Sequence, residues 1–318
     1  APLNDGNGNM AGHVRVFKYI GGAWTQIGAD IDGEAPLDFF GASVSLSSDG
    51  SIVAIGAPPN DGNGNMAGHV RVFKNARDTW VQIGSDIDGE AAGDQSGFAV
   101  SLNSDGSIVA IGAPRYGDRN VGHVRVYRNV SDTWKTLVSG GYADIVGEDH
   151  SNYSGFSVAL SSDGNTVAIG APFNFENGSG AGHVKIRKNI LGDWKRVGDD
   201  IDAEAAGDNF GSSVSLSSDG SIVAIGARYN AGNGYNSGHV RVYQNVNGTW
   251  TQIGDDIDGD SADDRSGRSV SLSSDGSIVA IGAYRNDDNG KDAGHVRVFQ
   301  NIDGSWTQLG SDIDGEAP

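Results

Sequence analysis

The apolar residues alternate with polar ones over short runs and never settle into a helical period. Val14-Arg15-Val16-Phe17, Ser43-Val44-Ser45-Leu46 and Ile52-Val53-Ala54-Ile55 are short, largely β-branched and bounded by Gly, Asn and Asp. A period of two places alternate side chains on opposite faces of a strand, and the Gly and Asp-Gly boundaries supply turns. Ser48-Asp49-Gly50 marks a tight hairpin between SVSLS and IVAIG, and Asn245-Val246-Asn247-Gly248 a second loop between GHVRVY and WTQIG. The pattern predicts strands throughout.

These runs repeat. Gly-His-Val-Arg/Lys-Val/Ile occurs six times, at His13, His69, His123, His183, His239 and His295, each followed eleven positions later by a Trp, from Trp24 to Trp306. The SVSLS–IVAIG hairpin occurs five times, its first Val at Val44, Val100, Val158, Val214 and Val270. Two hairpins in about 56 residues make a four-stranded unit, the signature of a β-propeller of four-stranded antiparallel blades. The expectation is an all-β chain with one propeller domain over residues 1–318. Its GHV–Trp hairpins start near residues 12, 68, 122, 182, 238 and 294, and its SVSLS–IVAIG hairpins near 42, 98, 156, 212 and 268. A solenoid is the alternative, with sheet edges open at both ends. Eleven hairpins imply six blades with one incomplete, five full blades plus one hairpin. A two-stranded blade leaves an edge that another strand can pair with, so a homo-oligomer or filament through strand complementation is also expected.

Phe40-Gly41 followed by Ile55-Gly56-Ala57-Pro58 resembles the FG-GAP repeat of integrin α-subunit propellers and their bacterial and algal relatives. The Phe-Gly pair is kept at Phe210-Gly211, inverted at Gly97-Phe98 and Gly155-Phe156, and replaced at Gly267-Arg268. Gly-Ala-Pro recurs at Gly112 and Gly170 but becomes Gly226-Ala227-Arg228 and Gly282-Ala283-Tyr284. The resemblance implies an extracellular or cell-surface module with a structural or adhesive role, binding a protein or glycan, and calcium in some blades. The family's calcium loop has the form Asp-x-Asp-x-Asp-Gly-x-x-Asp. Here the matching loop reads Ser47-Ser48-Asp49-Gly50-Ser51, so that site does not carry over.

Composition sharpens the picture. The net charge is −19, with 41 acids, and Glu supplies only six of them. So acidic a surface repels phosphate backbones and anionic headgroups, which excludes nucleic acid as a partner. No apolar run is long enough for direct membrane insertion. The chain has no Cys, which removes disulfide scaffolds and thiolate catalysis. It opens Ala1-Pro2-Leu3-Asn4, without an initiator Met or a hydrophobic leader, the expectation for a processed chain or an excerpt of a longer one.

The acids fall in runs after the Trp strands: Asp30, Asp32, Glu34 and Asp38; Asp86, Asp88, Glu90 and Asp94; Asp200, Asp202, Glu204 and Asp208; Asp256, Asp258, Asp260 and Asp264. Alternate carboxylates of this kind are candidate Ca²⁺ ligands, weighed against plain solvated interblade turns. The six His, one per repeat, suit a structural role in hydrogen-bonding a neighbouring loop, and the six Trp suit packing between blades. The loops Asn4–Asn9 and Asn60–Asn65 read as flexible turns. Symmetry breaks at Arg115 and Tyr116, between Leu137 and Tyr153 with Tyr142 and His150, and at Phe173 and Phe175. These seven residues are candidates for a one-sided partner-binding patch, and ordinary drift of duplicated loops is the plainer account. Sequons at Asn129, Asn152, Asn177 and Asn247 are candidate glycosylation sites. No nucleophile elbow, phosphate loop or His-Glu-x-x-His is present, and the expectation is a non-enzymatic scaffold. Two alternatives remain: a calcium-binding propeller domain of a larger cell-surface receptor, as the resemblance implies, and an enzyme using the asymmetric region around His150.

Overall fold

The computed structural model describes residues 1–117, 119–138, 144–148 and 151–316, all strands, turns and loops. No helix among them is long and apolar enough to cross a membrane. Unit 2 shows the plan. Strands Ser43–Leu46, Ile52–Ala57, His69–Asn75 and Trp80–Gln82 pair antiparallel in that order, in the register Val44↔Ile55, Ile55↔Arg71 and Phe73↔Gln82. The two residues Ile87–Asp88 pair with the start of His69–Asn75. The four expected strands therefore gain a fifth short piece. Gly84, at φ 72°, breaks the outer strand, which resumes along the other half of its neighbour.

Units 3 to 6 repeat this plan, from Ala99–Leu102 through Asp144–Val146, Ser157–Leu160 through Ile201–Asp202, Phe210–Leu216 through Ile257–Asp258, and Ser269–Leu272 through Ile313–Asp314. Unit 1 has only the outer part, Phe17–Ile20 with Ala23–Gln26 and His13–Val14 with Ile31–Asp32. The architecture is that of a β-propeller of four-stranded blades, five with both hairpins and one with a single hairpin.

The second strands of units 2 to 5 are buried on both faces because each of these sheets lies between two others, whereas Ile278–Ala283 of unit 6 is fully buried only at alternate residues. Val70 and Val72 of unit 2 pack with Val109, Ile111 and Leu102 of unit 3, and Val124 and Val126 of unit 3 with Val167 and Ile169 of unit 4. Each such buried side chain contributes about 1.5–3 kcal/mol. The Ser-Asp-Gly turns form a ladder from unit to unit, with Ser48 N–H donating to Ser104 O at 2.9 Å, Ser104 to Ser162 at 3.0 Å, and Ser162 to Ser218 and Ser218 to Ser274 at 2.8 Å. Asp49 holds its own turn by accepting from the Ser47 hydroxyl and the Ser51 amide.

Two sequence signals acquire physical meaning here. The Trp80 indole donates to the Ile27 carbonyl of the preceding unit at 2.9 Å, and Trp134, Trp194, Trp250 and Trp306 do the same to Ile83, Leu137, Val197 and Ile253. The expected packing of Trp between blades is thus also a hydrogen bond. A Cβ on Gly56 would collide with the Gly97 carbonyl of the next unit, and Gly112 meets Gly155, Gly170 meets Gly211 and Gly226 meets Gly267 in the same way. The Gly of Gly-Ala-Pro and the Gly of Phe-Gly are two sides of one backbone contact between blades.

Candidate functional site

The acidic runs divide among several tasks instead of gathering four carboxylates at one point. Alternate residues of the short outer strand point to opposite faces, and the run then turns toward the next unit. Asp38 is buried, accepts from the Ala35 amide, and takes the Asn60 side chain of unit 2 at 3.1 Å. Asp94 and Asp208 are buried caps of the same kind, on the amides of Ala91 and Ala205, and Asp208 and Asp264 also hold Asn230 and Asn286. Glu34 pairs forward with Arg71, Glu90 with Arg125, Glu204 with Arg241, and Asp260 with Arg297. Asp30 forms a bidentate pair with Arg15, and that bond holds its carboxyl down at about 2. Asp86 faces Arg71, Asp200 faces Lys185 and Asp256 pairs with Arg241. Asp32, Asp88, Asp202 and Asp258 lie opposite a His in the strand ladder.

The sequence reading missed the carboxylates' companion. Each repeated His is buried at the start of its strand, and its Nδ1 faces acids at 3.5–4.0 Å in His69, His123, His183, His239 and His295, too far for the loop hydrogen bond expected of it. Small groups result: His13 with Asp30 and Asp32, His69 with Glu34 and Asp86, His123 with Glu90 and Asp144, His183 with Glu176 and Asp202, and His239 with Asp256 and Asp258. Burial drives the imidazoles of His123, His183 and His239 down to about 4, so they are neutral at pH 7. The loops read as flexible turns are tied down: Asn60 is buried and accepts from Gly62, and Asn63 donates across to Gly89 at 2.7 Å.

The candidate partner patch is resolved in part. Tyr142 and His150 lie outside the described residues. Tyr116 stacks on His123 at 3.9 Å, and Arg115 beside it is exposed. Tyr153 and Phe173 meet at 5.0 Å, while Phe175 is 51% exposed and meets no other ring among the described residues. Of the sequons, Asn247 is exposed in its hairpin turn. Asn129 is partly buried and accepts from the Asp132 amide, and Asn177 is exposed but donates to Ala203. Asn152 corrects the expectation: at 1% exposure it has no room for a glycan.

The rings of Tyr153 and Phe173 continue into a band that the sequence did not announce. Phe173 meets Phe156, and Phe156 meets Phe98 at 4.8 Å. The Arg228 guanidinium lies 5.6 Å from the Phe156 ring and 4.9 Å from Tyr229, and Arg265 lies 5.0 Å from Tyr229 and 5.7 Å from Tyr284. Arg265 also donates to the Tyr284 hydroxyl. Arg285 follows on Tyr284 at 6.0 Å and pairs with Asp292.

Among the described residues, Arg228, Arg265 and Arg268 have no carboxylate within ion-pair distance, in a molecule of net charge −19. Burial lowers the Arg228 pKa, and the neighbouring charges of Arg268 and Arg265 lower it further. The Nε atoms of Arg228 and Arg265 are buried without a partner.

The drift noted at Arg228, Gly267-Arg268 and Tyr284 is the signal that could have found this face. These residues stand where other repeats carry Pro, Phe, Ala or Ser, at the same corner of consecutive units. Arg265 occupies a corner whose counterparts Phe39, Gln95, Tyr153 and Asn209 all have φ between 52° and 56°, as it does itself. A cavity of about 680 Å³ opens beside it, lined by Asp208, Tyr229, Asn230, Tyr235 and Arg265.

Four-stranded sheets set side by side through their first strands, each clasping its predecessor by a Trp, define the chain as a β-propeller protein. The FG-GAP repeat model matches residues 29–73, 202–243 and 256–299, and these segments carry FG-GAP repeats. A search among curated proteins finds no match. Among solved structures, a candidate 6-phosphogluconolactonase from Bacteroides uniformis ATCC 8492 is similar, with a TM-score of 0.51 and 12% identity over 91% of this chain and 89% of that one. At that identity the likeness is one of fold.

Proposed function

We propose that the chain is a non-enzymatic recognition scaffold whose asymmetric face binds an acidic saccharide. The observation that carries this reading is the unpaired trio Arg228, Arg265 and Arg268 set among Phe156, Tyr229 and Tyr284. Guanidinium forks match carboxylate, sulfate or phosphate groups, and aromatic faces take the apolar side of a sugar ring. A cavity of about 680 Å³ suits a ligand of a few sugar units. The extracellular placement implied by the FG-GAP resemblance belongs to the same reading. Isothermal titration with a sulfated or uronic-acid oligosaccharide tests it. Arg265→Ala and Arg268→Ala should each weaken binding at least about 10-fold, and added salt should weaken it further. Equal binding by wild type and both variants, or preference for an acidic peptide over the saccharide, contradicts the reading.

A second reading concerns assembly. Trp24 is the counterpart of the five bonded Trp, yet it is 71% exposed and its indole finds no acceptor among the described residues. Leu309, the counterpart of the accepting Ile27, is 50% exposed. The two faces carry opposite halves of one inter-unit contact, and the occupant each fits is another unit of the same repeat, supplied by a second copy. Sedimentation that stays monomeric at high concentration, or association unchanged by Trp24→Ser, argues against this.

A further inference from the structure

We propose that Glu176, His183 and Asp202 form a binding site for a divalent transition metal of the zinc class. The His183 Nδ1 lies 4.0 Å from a Glu176 oxygen and 4.0 Å from an Asp202 oxygen, and the three ligand atoms all lie within 4.8 Å of one another. His183 is 2% exposed, and its Nδ1 is buried with no hydrogen-bond partner. A buried, neutral imidazole nitrogen aimed between two carboxylates is a ligand set without its ion.

Three other His groups differ in their charge balance. Arg71 sits on Glu34 and Asp86, Arg125 on Glu90 and Asp144, and Arg241 on Asp256, so a guanidinium already supplies the positive charge there. In unit 4 the corresponding cation, Lys185, reaches Glu148 at 2.7 Å and Asp200 at 3.6 Å. Among the described residues, Glu176 and Asp202 have no ion-pair partner except His183. Burial raises the Asp202 carboxyl, and the charge of Glu176 raises it further.

Glu176 is the long acid at a place where unit 6 carries the shorter Asp288, whose carboxylate is taken up by the Asn286 side chain. Asn174 and Asn60 hold equivalent places, each accepting from the amide two residues on, so Glu176 stands where Gly62 and Gly232 stand in units 2 and 5. A Cβ built on Gly232 already comes within 3.4 Å of the Asp258 carboxylate, the counterpart of Asp202. A longer acid at that place is therefore directed at the His–Asp pair.

Imidazole nitrogen and carboxylate oxygen bind zinc at about 2.0–2.2 Å, which sets tetrahedral ligands about 3.4 Å apart. The partly exposed Glu176 can close the small remaining gap, and water can take the fourth position. Calcium, which takes oxygen ligands and more of them, is disfavoured by the imidazole.

The test is calorimetric titration of chelator-cleared protein with Zn²⁺ alone, with melting followed in parallel. Wild type should bind one Zn²⁺ per chain and melt higher with it. Glu176→Gly, which installs the residue that equivalent loops carry and so should keep the fold, should weaken binding at least about 10-fold and remove the shift. Asp202→Asn should do likewise. Equal binding by wild type and Glu176→Gly, about six ions per chain, or no Zn²⁺ binding by a folded wild type would overturn the assignment.

Discussion

Single residues in this chain are constrained by their neighbours in the next unit more than by their own strand. Gly112 shows why. Its backbone lies against the Gly155 carbonyl, so any Cβ there must push two units apart. Gly112→Ala is expected to cost about 1–3 kcal/mol in urea unfolding, whereas Ala at the open Gly21 should be limited to the strain of its φ of 59°. The buried His give a pH dependence. Folded His123, His183 and His239 hold pKa values of about 4, so on acidification the unfolded chain takes up protons first. Stability from their burial is complete above about pH 6.5 and is lost as pH falls from there toward about 4. The raised carboxyls of buried Asp94 and Asp208 and of the more exposed Asp202 act in the opposite sense nearer the carboxylate range. Melting temperature should therefore fall between about pH 7 and about pH 5.5, and His123→Gln should flatten that slope. A rising melting temperature over this interval would show that the imidazoles are not buried neutral.

At the scale of the strand and hairpin, most of the structure was legible because the signals are local. Alternating Val and Ile, the Ser-Asp-Gly turn and the regularly placed His and Trp fix each hairpin, and the register follows. Two features were not legible. The break at Gly84 depends on the outer strand outrunning its neighbour's straight half. The fate of the acids depends on which face each one takes and on Arg71 or Arg241 approaching from another strand. A run such as Asp30-Asp32-Glu34-Asp38 looks like one cluster in one dimension, and in three it is a pair, a ladder position, a forward salt bridge and a cap. The Trp contact gives the element-scale prediction. Trp306→Phe should lose about 1–3 kcal/mol through the unmade bond to Ile253, while Trp24→Phe should change stability by less than about 0.5 kcal/mol. Equal effects in urea unfolding would mean that the indole bond does not join the units.

For the whole molecule, near-symmetry is itself informative. Five full units and one half-unit of the same plan make any function shared by all of them a property of the scaffold, and a single-site function must come from departures. The departures collect on one face. Tyr153, Phe156 and Phe173 supply rings from units 3 and 4, and Arg228, Arg265, Arg268 and Tyr284 supply charge and rings from units 5 and 6. The sequence reading named Tyr153 and Phe173 as candidates, took Phe156, Arg228, Arg268 and Tyr284 for drift of the FG-GAP letters and passed over Arg265, since nothing in one dimension brings residues 228, 265 and 284 together. Against a strongly acidic surface, three unpaired arginines on one corner make a local attraction for anions that the net charge conceals. Hydrogen–deuterium exchange with and without an acidic oligosaccharide tests this account most directly. Protection should appear at residues 153–156, 226–229, 265–268 and 283–285 and be lost in Arg265→Ala. Protection confined to the acidic outer runs such as 30–38, or spread equally over all six units, would contradict it.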